Sequence, residues 1–440
     1  MYKVIEKYYC LSEYSYLASD KYTNEVKEPN KLLCDKVFSE IEKFVLENKF
    51  EDDSGINEFL ISGYNKHSKK ILKAQNYVGV LQTKSGTTIE ILPKIHMDSE
   101  DESYNNTRKI FLNMLKSLKR FPFKNFNLAN LKTCKINLMD IFITMFLDEL
   151  NILIKRGIKS GYINMQDNSK FFKGKLLVNM QIKNNLVHKE NFYVEFDSFS
   201  PNIIENRIIK STLVYLSKKS NSNIIQRRIR EYLFIFGDID ESMNHDVNFS
   251  KCINNRVMND YSILLKWCRI FLNKESFTNF KGNNIAYALI YPMEKVFESY
   301  IAHCIKNSSL FKEYETETQE SKYYLIKNPE KFRLRPDIVM RKDGQTIILD
   351  TKWKLLNQDP NKNYGISQSD LYQMYAYAKK YNSNKVVLIY PMNKYTDKLT
   401  ELKFEYEKDI TLYIFFTNLE DINASLEALK ELIKNNGIDG

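Results

Sequence analysis

In the segment RPDIVMRKDGQTIILDTKWK, residues 335–354, Asp337, Asp350 and Lys352 have the types and spacing that phosphodiester hydrolysis at a divalent cation requires. Asp343-Gly344 predicts the two-residue type I′ turn of a β-hairpin, because both central residues of that turn need positive φ. Lys342 then pairs with Gln345, and counting back along the strands sets Asp337 opposite Asp350. Side chains alternate on a strand, so Lys352 shares the face of Asp350. A three-residue bulged turn would shift this register by one. Two opposed carboxylates repel, but a hard divalent cation between them reverses the sign. Mg²⁺ takes oxygen ligands, commonly one or two carboxylates with water and substrate phosphate. A lysine at the rim can orient or help deprotonate the attacking water while the cation polarises the phosphoryl group. The bland alternative has Asp337 capping a turn after Pro336, with Asp350 and Lys352 exposed on an edge strand. Against it, Ile347, Ile348 and Leu349 run apolar into Asp350, and a carboxylate ending a buried strand is costly unless compensated.

Other residues extend this group. A helix from about Ser369 to Tyr381 turns Leu371, Met374, Tyr375 and Ala378 inward. Asp370, Gln373 and Tyr377 lie on an adjacent stripe. Gln373 and Tyr377 can reach a bound nucleotide or brace the catalytic strand, or they form an ordinary polar flank. Glu294 and Glu298 are one helical turn apart, and Glu298 either extends the acidic cluster or belongs to a solvated face. Arg333, Arg335 and Lys354 suit phosphate contacts, arginine in bidentate form. Lys354 faces the same way as Lys352 and is the second candidate for the lysine role.

The elements that must position these residues read as helix, three strands, helix, three strands and helix. Tyr291-Pro292 opens an amphipathic helix, and KYYLIK, RLRPDIVM and QTIILDTKWK are strands. KVVLIYP suits a central strand, followed by strands at Leu402–Tyr406 and TLYIFF and a closing helix with Gly437 just past its end. Upstream, NYVGVLQ and TTIEILPKI form a hairpin, half-buried by its period of two, with Val78 and Val80 answering Ile89 and Ile91. HMDSEDESYNNTRK is an exposed loop, and Ile110 to about Ile158 is helical with Gly157 as a stop. In the middle, FKGKLLV and NFYVEFD are strand-like, and Ser200 and Pro201 open a helix that two more follow. The architecture is therefore α+β and multidomain. Residues 1–165 form a mixed α/β domain, 166–275 a mostly helical section, and 276–440 a central mixed sheet flanked by helices.

Composition bounds the rest. The 440 residues are 43% hydrophobic and 27% charged, which excludes wholesale disorder. No apolar run approaches the ~20 residues a membrane span needs, and the N-terminus lacks a signal-peptide stretch, so a cytoplasmic location is expected. The net charge of +10 favours a polyanionic partner, although enrichment in Lys, Asn, Ile and Tyr can also be a genome-wide bias. Six scattered cysteines read as reduced thiols, and five histidines show no zinc-ligand spacing. No P-loop occurs, so nucleotide hydrolysis by that route is excluded.

Pro336-Asp337, Asp350-x-Lys352 and Gln373-x-x-x-Tyr377 together resemble the PD-(D/E)xK nuclease superfamily in its RecB-like branch. FKGKLLVNMQI, VEFDSFSPNIIENRIIKSTLVYL, RPDIVM, ILDTKWK, SDLYQMYAYA and VLIYP follow in the order seen in McrC-like nuclease subunits of McrBC-type modification-dependent restriction systems. The resemblance covers about residues 75–420. It implies a DNA-cleaving subunit without a motor, paired with a GTP-hydrolysing AAA+ ring of the McrB type that recognises modified double-stranded DNA. The N-terminal part would engage that ring and stimulate its GTPase. Asp337 and Asp350 would be the Mg²⁺ carboxylates and Lys352 the catalytic lysine; GTP would be bound by the partner. Asp98–Glu102 and the turn at Lys84-Ser85-Gly86 are exposed candidates for ring contact. A stand-alone RecB-like repair nuclease and a non-catalytic activator of the AAA+ partner are the alternatives.

Overall fold

The computed structural model describes residues 8–22, 32–47, 50–52, 55–57, 59–65, 68–83, 85–95, 101–118, 137–220, 222–252, 260–272, 285–396, 402–407 and 409–434. It is a mixed α/β chain of two compact units, residues 1–121 with 281–440, and residues 122–280. Both ends of the chain thus share one unit. Among the described residues no helix is long and apolar enough to cross a membrane.

In the first unit, β1 (Tyr8–Ser12), helix α1 (Asp35–Glu47), β2 (Tyr77–Thr83), β3 (Thr88–Leu92) and helix α2 (Asp101–Leu115) precede β4 (Ile285–Pro292). The four strands pair in the order β1-β3-β2-β4. Pairing across β2 and β3 sets Leu81 against Ile89 and Val80 against Glu90, so Val78 and Val80 do not answer Ile89 and Ile91. Every residue of both strands is buried, because α2 packs on β3 and α1 on β2. Glu90 sits among them with the Arg108 guanidinium of α2 at 2.5 Å as its counter-charge. Gly79 permits the fourth strand to close in, since a Cβ there would stand 2.0 Å from the Leu289 carbonyl oxygen. The segment read as an acidic loop is helical from Asp101, while 98–100 and Lys84 lie outside the described residues.

Helix α3 (Met293–Asn307) follows β4 directly, with Pro292 at its N-cap. Then come β5 (Glu315–Thr318), β6 (Ile338–Lys342), β7 (Gln345–Thr351), helix α4 (Gln368–Tyr381), β8 (Lys385–Pro391), β9 (Leu402–Glu407), β10 (Ile410–Thr417) and helix α5 (Ile422–Lys434). They build a six-stranded mixed sheet in the order β5-β6-β7-β8-β10-β9. β7, β8 and β10 run parallel, so the apolar run of β8 is buried at the centre. Val339, Ile348, Val386 and Leu388 meet Met374, Tyr377 and Ala378 of α4 in the core. RLRPDIVM is not one strand. Only its first residue, Arg333, joins a separate two-stranded ribbon, Tyr324–Lys327 with Glu330–Arg333, and Leu334–Asp337 leave both ladders, as Pro336 has no N–H to donate.

In the second unit, a helix over Leu138–Arg156 ends at Gly157 as predicted. It contributes Phe142 and Phe146 to an aromatic group with Trp267 and Phe271. A three-stranded sheet of Gly161–Ser169, Phe192–Ser200 and Lys175–Leu176 also lies in this stretch. The strand read into FKGKLLV is only two residues long and yields to a helix at Val178. There Gln181 accepts from Tyr193 N and donates to the Asn191 carbonyl, tertiary bonds that a strand would forgo. Ser200 ends its strand, and its hydroxyl accepts from Asn202 N; the helix begins at Ile204 with no side-chain cap.

Candidate active site

The hairpin β6–β7 follows the register predicted from its turn. Asp343 and Gly344 have φ of 50° and 79°, and the ladder runs from Lys342↔Gln345 to Ile338↔Leu349. Asp337 is the residue just before that ladder and Asp350 lies beside its last pair. Asp350 is 2% exposed. Asp337 reaches across to β7, where its Oδ2 accepts from Thr351 N at 2.8 Å and Thr351 Oγ at 2.7 Å.

Lys352 extends past the strand end and places Nζ 2.6 Å from Asp350 Oδ2. The ammonium donates to Gln373 Oε1 at 3.0 Å, and Gln373 Nε2 donates to the Tyr377 hydroxyl, so α4 aims the lysine. Burial alone would lower the Lys352 ammonium, but Asp350 and Asp337 outweigh it and hold it above its usual value. Burial, followed by the Asp337 charge, raises the Asp350 carboxyl above the ordinary range despite Lys352. Asp337 is raised by burial and by Glu298. One ammonium does not offset two buried carboxylates.

The other sequence candidates separate. Glu298 joins the cluster: its Oε1 accepts from Gln319 Nε2 at 2.5 Å, and the same nitrogen donates to Asp337 Oδ1 at 3.1 Å. Burial raises the Glu298 carboxyl as well. Tyr377 is not a polar flank but a core residue, 3% exposed, and its hydroxyl donates to the Arg335 carbonyl at 3.1 Å. The α4 stripe is rotated relative to the predicted one, because Leu371 and Tyr375 are only partly buried. Lys354 and Arg335 are exposed on the wall of an open cleft of ≈ 760 Å³ that also holds Asp337, Asp350 and Lys352. Arg333 lies on the ribbon, its guanidinium 4.9 Å from the Tyr324 ring centroid.

Three contributors carry no signal in the linear pattern. Gln319, at φ 54°, ties Glu298 to Asp337 from the end of β5. Thr351 anchors Asp337. Glu13, which follows β1, is 1% exposed and accepts from Trp353 Nε1 at 2.9 Å and from Lys94 N at 3.3 Å. Trp353 adjoins Lys352 and packs on Phe297 with ring centroids 5.3 Å apart, so the N-terminal strand helps to fix the segment that follows Lys352. Burial pushes the Glu13 carboxyl up to about 8. The folded chain therefore holds a proton that the unfolded chain releases above about pH 4.5. That stabilisation is complete below pH 4.5 and is lost as pH rises through about 8. Glu13→Gln keeps an acceptor for Trp353 and is expected to flatten this part of the melting temperature against pH; an unchanged slope would assign the pH dependence elsewhere.

The donor set suits a hard cation in one limited sense. Among the described residues, no group of three or more His, Cys, Asp or Glu is arranged to enclose a metal ion. Two carboxylates are nevertheless the usual protein share for Mg²⁺. Asp350 Oδ2 is buried with no donor in hydrogen-bonding geometry, its lysine contact being an ion pair.

Among known proteins, the chain matches the model of a family described as McrBC 5-methylcytosine restriction system component, over residues 72–391. No curated protein matches it. Its fold is similar to a chain in the refined half-complex from a tetradecameric assembly of Thermococcus gammatolerans McrB AAA+ hexamers with bound McrC. That match has 19% identity and a TM-score of 0.71 and covers 97% of this chain and 99% of that one. A chain in the cryo-EM structure of the Thermococcus gammatolerans McrBC complex matches with 18% identity and a TM-score of 0.49, covering 68% of this chain and 87% of that one.

Proposed function

Since the chain belongs to the family of McrBC 5-methylcytosine restriction system components, we propose that it is the Mg²⁺-dependent DNA-cleaving subunit of an McrBC-like restriction complex. It acts with a GTP-hydrolysing AAA+ partner of the McrB type, which delivers modified double-stranded DNA and whose GTPase it stimulates. The six-stranded sheet with α3, α4 and α5 is its PD-(D/E)xK nuclease domain, within residues 276–440, and residues 1–165 engage the partner. The observation that carries this reading is the buried Asp350, paired with the Lys352 ammonium at 2.6 Å, beside Asp337 on the wall of one open cleft.

Asp337 and Asp350 would hold Mg²⁺, which when bound would polarise the phosphodiester and offset charge on the leaving oxygen. Thr351 and Gln319 orient Asp337. Lys352 works as a charged donor rather than as a base, because Asp350 holds its proton in place. It stabilises the charge that develops on the phosphoryl oxygens, and Gln373 keeps it aimed. Arg335 holds a neighbouring phosphate. Water adds to phosphorus and the bridging oxygen leaves as a hydroxyl, giving a phosphate monoester end.

Two measurements test the assignment. The chain assembled with its GTPase partner should cut 5-methylcytosine DNA in the presence of GTP and Mg²⁺ and spare unmethylated DNA; cleavage without partner or GTP would favour a stand-alone nuclease. Mg²⁺ should also raise the melting temperature of the isolated chain. Without the ion, the raised carboxyls contribute stability below the ordinary carboxylate range and lose it as pH rises through their shifted values. Mg²⁺ must displace those protons, so its shift should be larger at pH 8 than at pH 5.5. Equal shifts in wild type and Asp350→Asn would remove Asp350 from the metal site.

A further inference from the structure

We propose that the ribbon Tyr324–Lys327 with Glu330–Arg333 is a DNA-backbone grip that holds the duplex beside the cleavage site, a proposal that rests on the nuclease reading above. The ribbon stands outside the six-stranded sheet as its own antiparallel pair, with Tyr324 opposite Arg333, Ile326 opposite Lys331 and Lys327 opposite Glu330. Its residues are exposed except Tyr324, which is partly so. Phe332, at 68% exposure and φ 57°, is an aromatic side chain on left-handed backbone, on a ribbon that also exposes Leu325 and Ile326. A large apolar residue rarely adopts that conformation, and outliers of this kind gather at functional sites.

Charge selects the occupant. Between residues 322 and 335 lie Lys322, Lys327, Lys331, Arg333 and Arg335 against a single acid, Glu330. Cations beside the exposed Phe332 fit a phosphate backbone, with Arg333 positioned by its Nε donating to the Tyr324 hydroxyl at 3.0 Å. An acidic protein surface would satisfy the charges but gives no reason for their place in the chain. The ribbon's second strand leads through Leu334 and Arg335 into Asp337. Its base is closed by Leu334 N donating to the Tyr323 carbonyl and by Tyr377 donating to the Arg335 carbonyl. Arg333 precedes Asp337 by four positions, a reach of at most about 13 Å in extended chain. DNA rises ~3.4 Å per base pair, so Arg333 and Lys331 meet phosphates within roughly four to six base pairs of the cut.

The test uses the assembled complex with the partner GTPase and a 5-methylcytosine duplex as probe, in an Asp350→Ala background for binding and in wild type for cleavage. Lys327→Ala with Lys331→Ala and Arg333→Ala is expected to weaken binding by about 10- to 100-fold. It should also reduce the slope of log affinity against log salt by about 2–3, since each phosphate contact contributes about 0.9. Phe332→Ala should weaken binding with the slope unchanged. Melting temperature and GTPase stimulation should match wild type in all of these. Unaltered affinity and slope in a folded, GTPase-stimulating complex would overturn the grip, as would lost stimulation with DNA binding intact, which would assign the ribbon to the protein partner. Cleavage persisting in Asp350→Ala would instead fail the nuclease assignment, leaving the binding result readable by itself.

Discussion

Asp350→Ala, assembled with the AAA+ GTPase partner, is expected to cut DNA at least roughly a thousandfold more slowly than wild type while still stimulating GTP hydrolysis. The carboxylate is near the C-terminal end of a buried strand, and its Oδ2 has no donor in hydrogen-bonding geometry, which leaves that oxygen available to a cation. Folding should survive. Asp337 and Asp350 repel across the hairpin and both carboxyls are raised, so removing one relieves strain rather than adding it. Asp350→Asn, which keeps the shape, should therefore melt higher than wild type at pH 8 without Mg²⁺ and should lose most of the Mg²⁺-induced shift. Cleavage at the wild-type rate in either variant would refute the catalytic assignment.

Lys352→Ala should also abolish most cleavage, by about 10²- to 10³-fold in rate, but with the opposite stability signature. Here the ammonium goes and two buried carboxylates remain without it, which costs stability that grows as pH rises and both ionise. Mg²⁺ should recover that loss, and its melting shift should exceed that of wild type because Nζ no longer stands 2.6 Å from the ligand oxygen. Lys352→Arg is not expected to rescue, since a planar fork cannot occupy the place of a compact ammonium between Asp350 and Gln373. A variant that cleaves normally, or a Mg²⁺ shift smaller than in wild type, would show that Lys352 neither serves the reaction nor competes with the ion.

These two variants rest on a geometry that a short stretch of chain made readable. Asp343-Gly344 dictates its own turn, the turn sets the register, and the register brings Asp337 beside Asp350 with no help from the rest of the molecule. The helix carrying Gln373 was equally legible, but which of its faces is buried was not. Tyr377 is in the core because Arg335 offers its hydroxyl an acceptor from another element, and a helical wheel holds no record of such a partner. The hairpin of β2 and β3 is buried on both faces for a similar reason: α1 and α2 cover strands whose alternation alone points one face to water.

Local chemistry thus determined the turn, the paired acids, the lysine two residues on and the exclusion of a P-loop, since each depends on neighbours within a few positions. Only tertiary structure decided that Glu13 grips Trp353 across 340 residues, that Gln319 joins Glu298 to Asp337, and that β4 returns the chain to the N-terminal sheet. Such contacts arise when distant segments bury surface together, and one amino-acid sequence does not record which segments those will be.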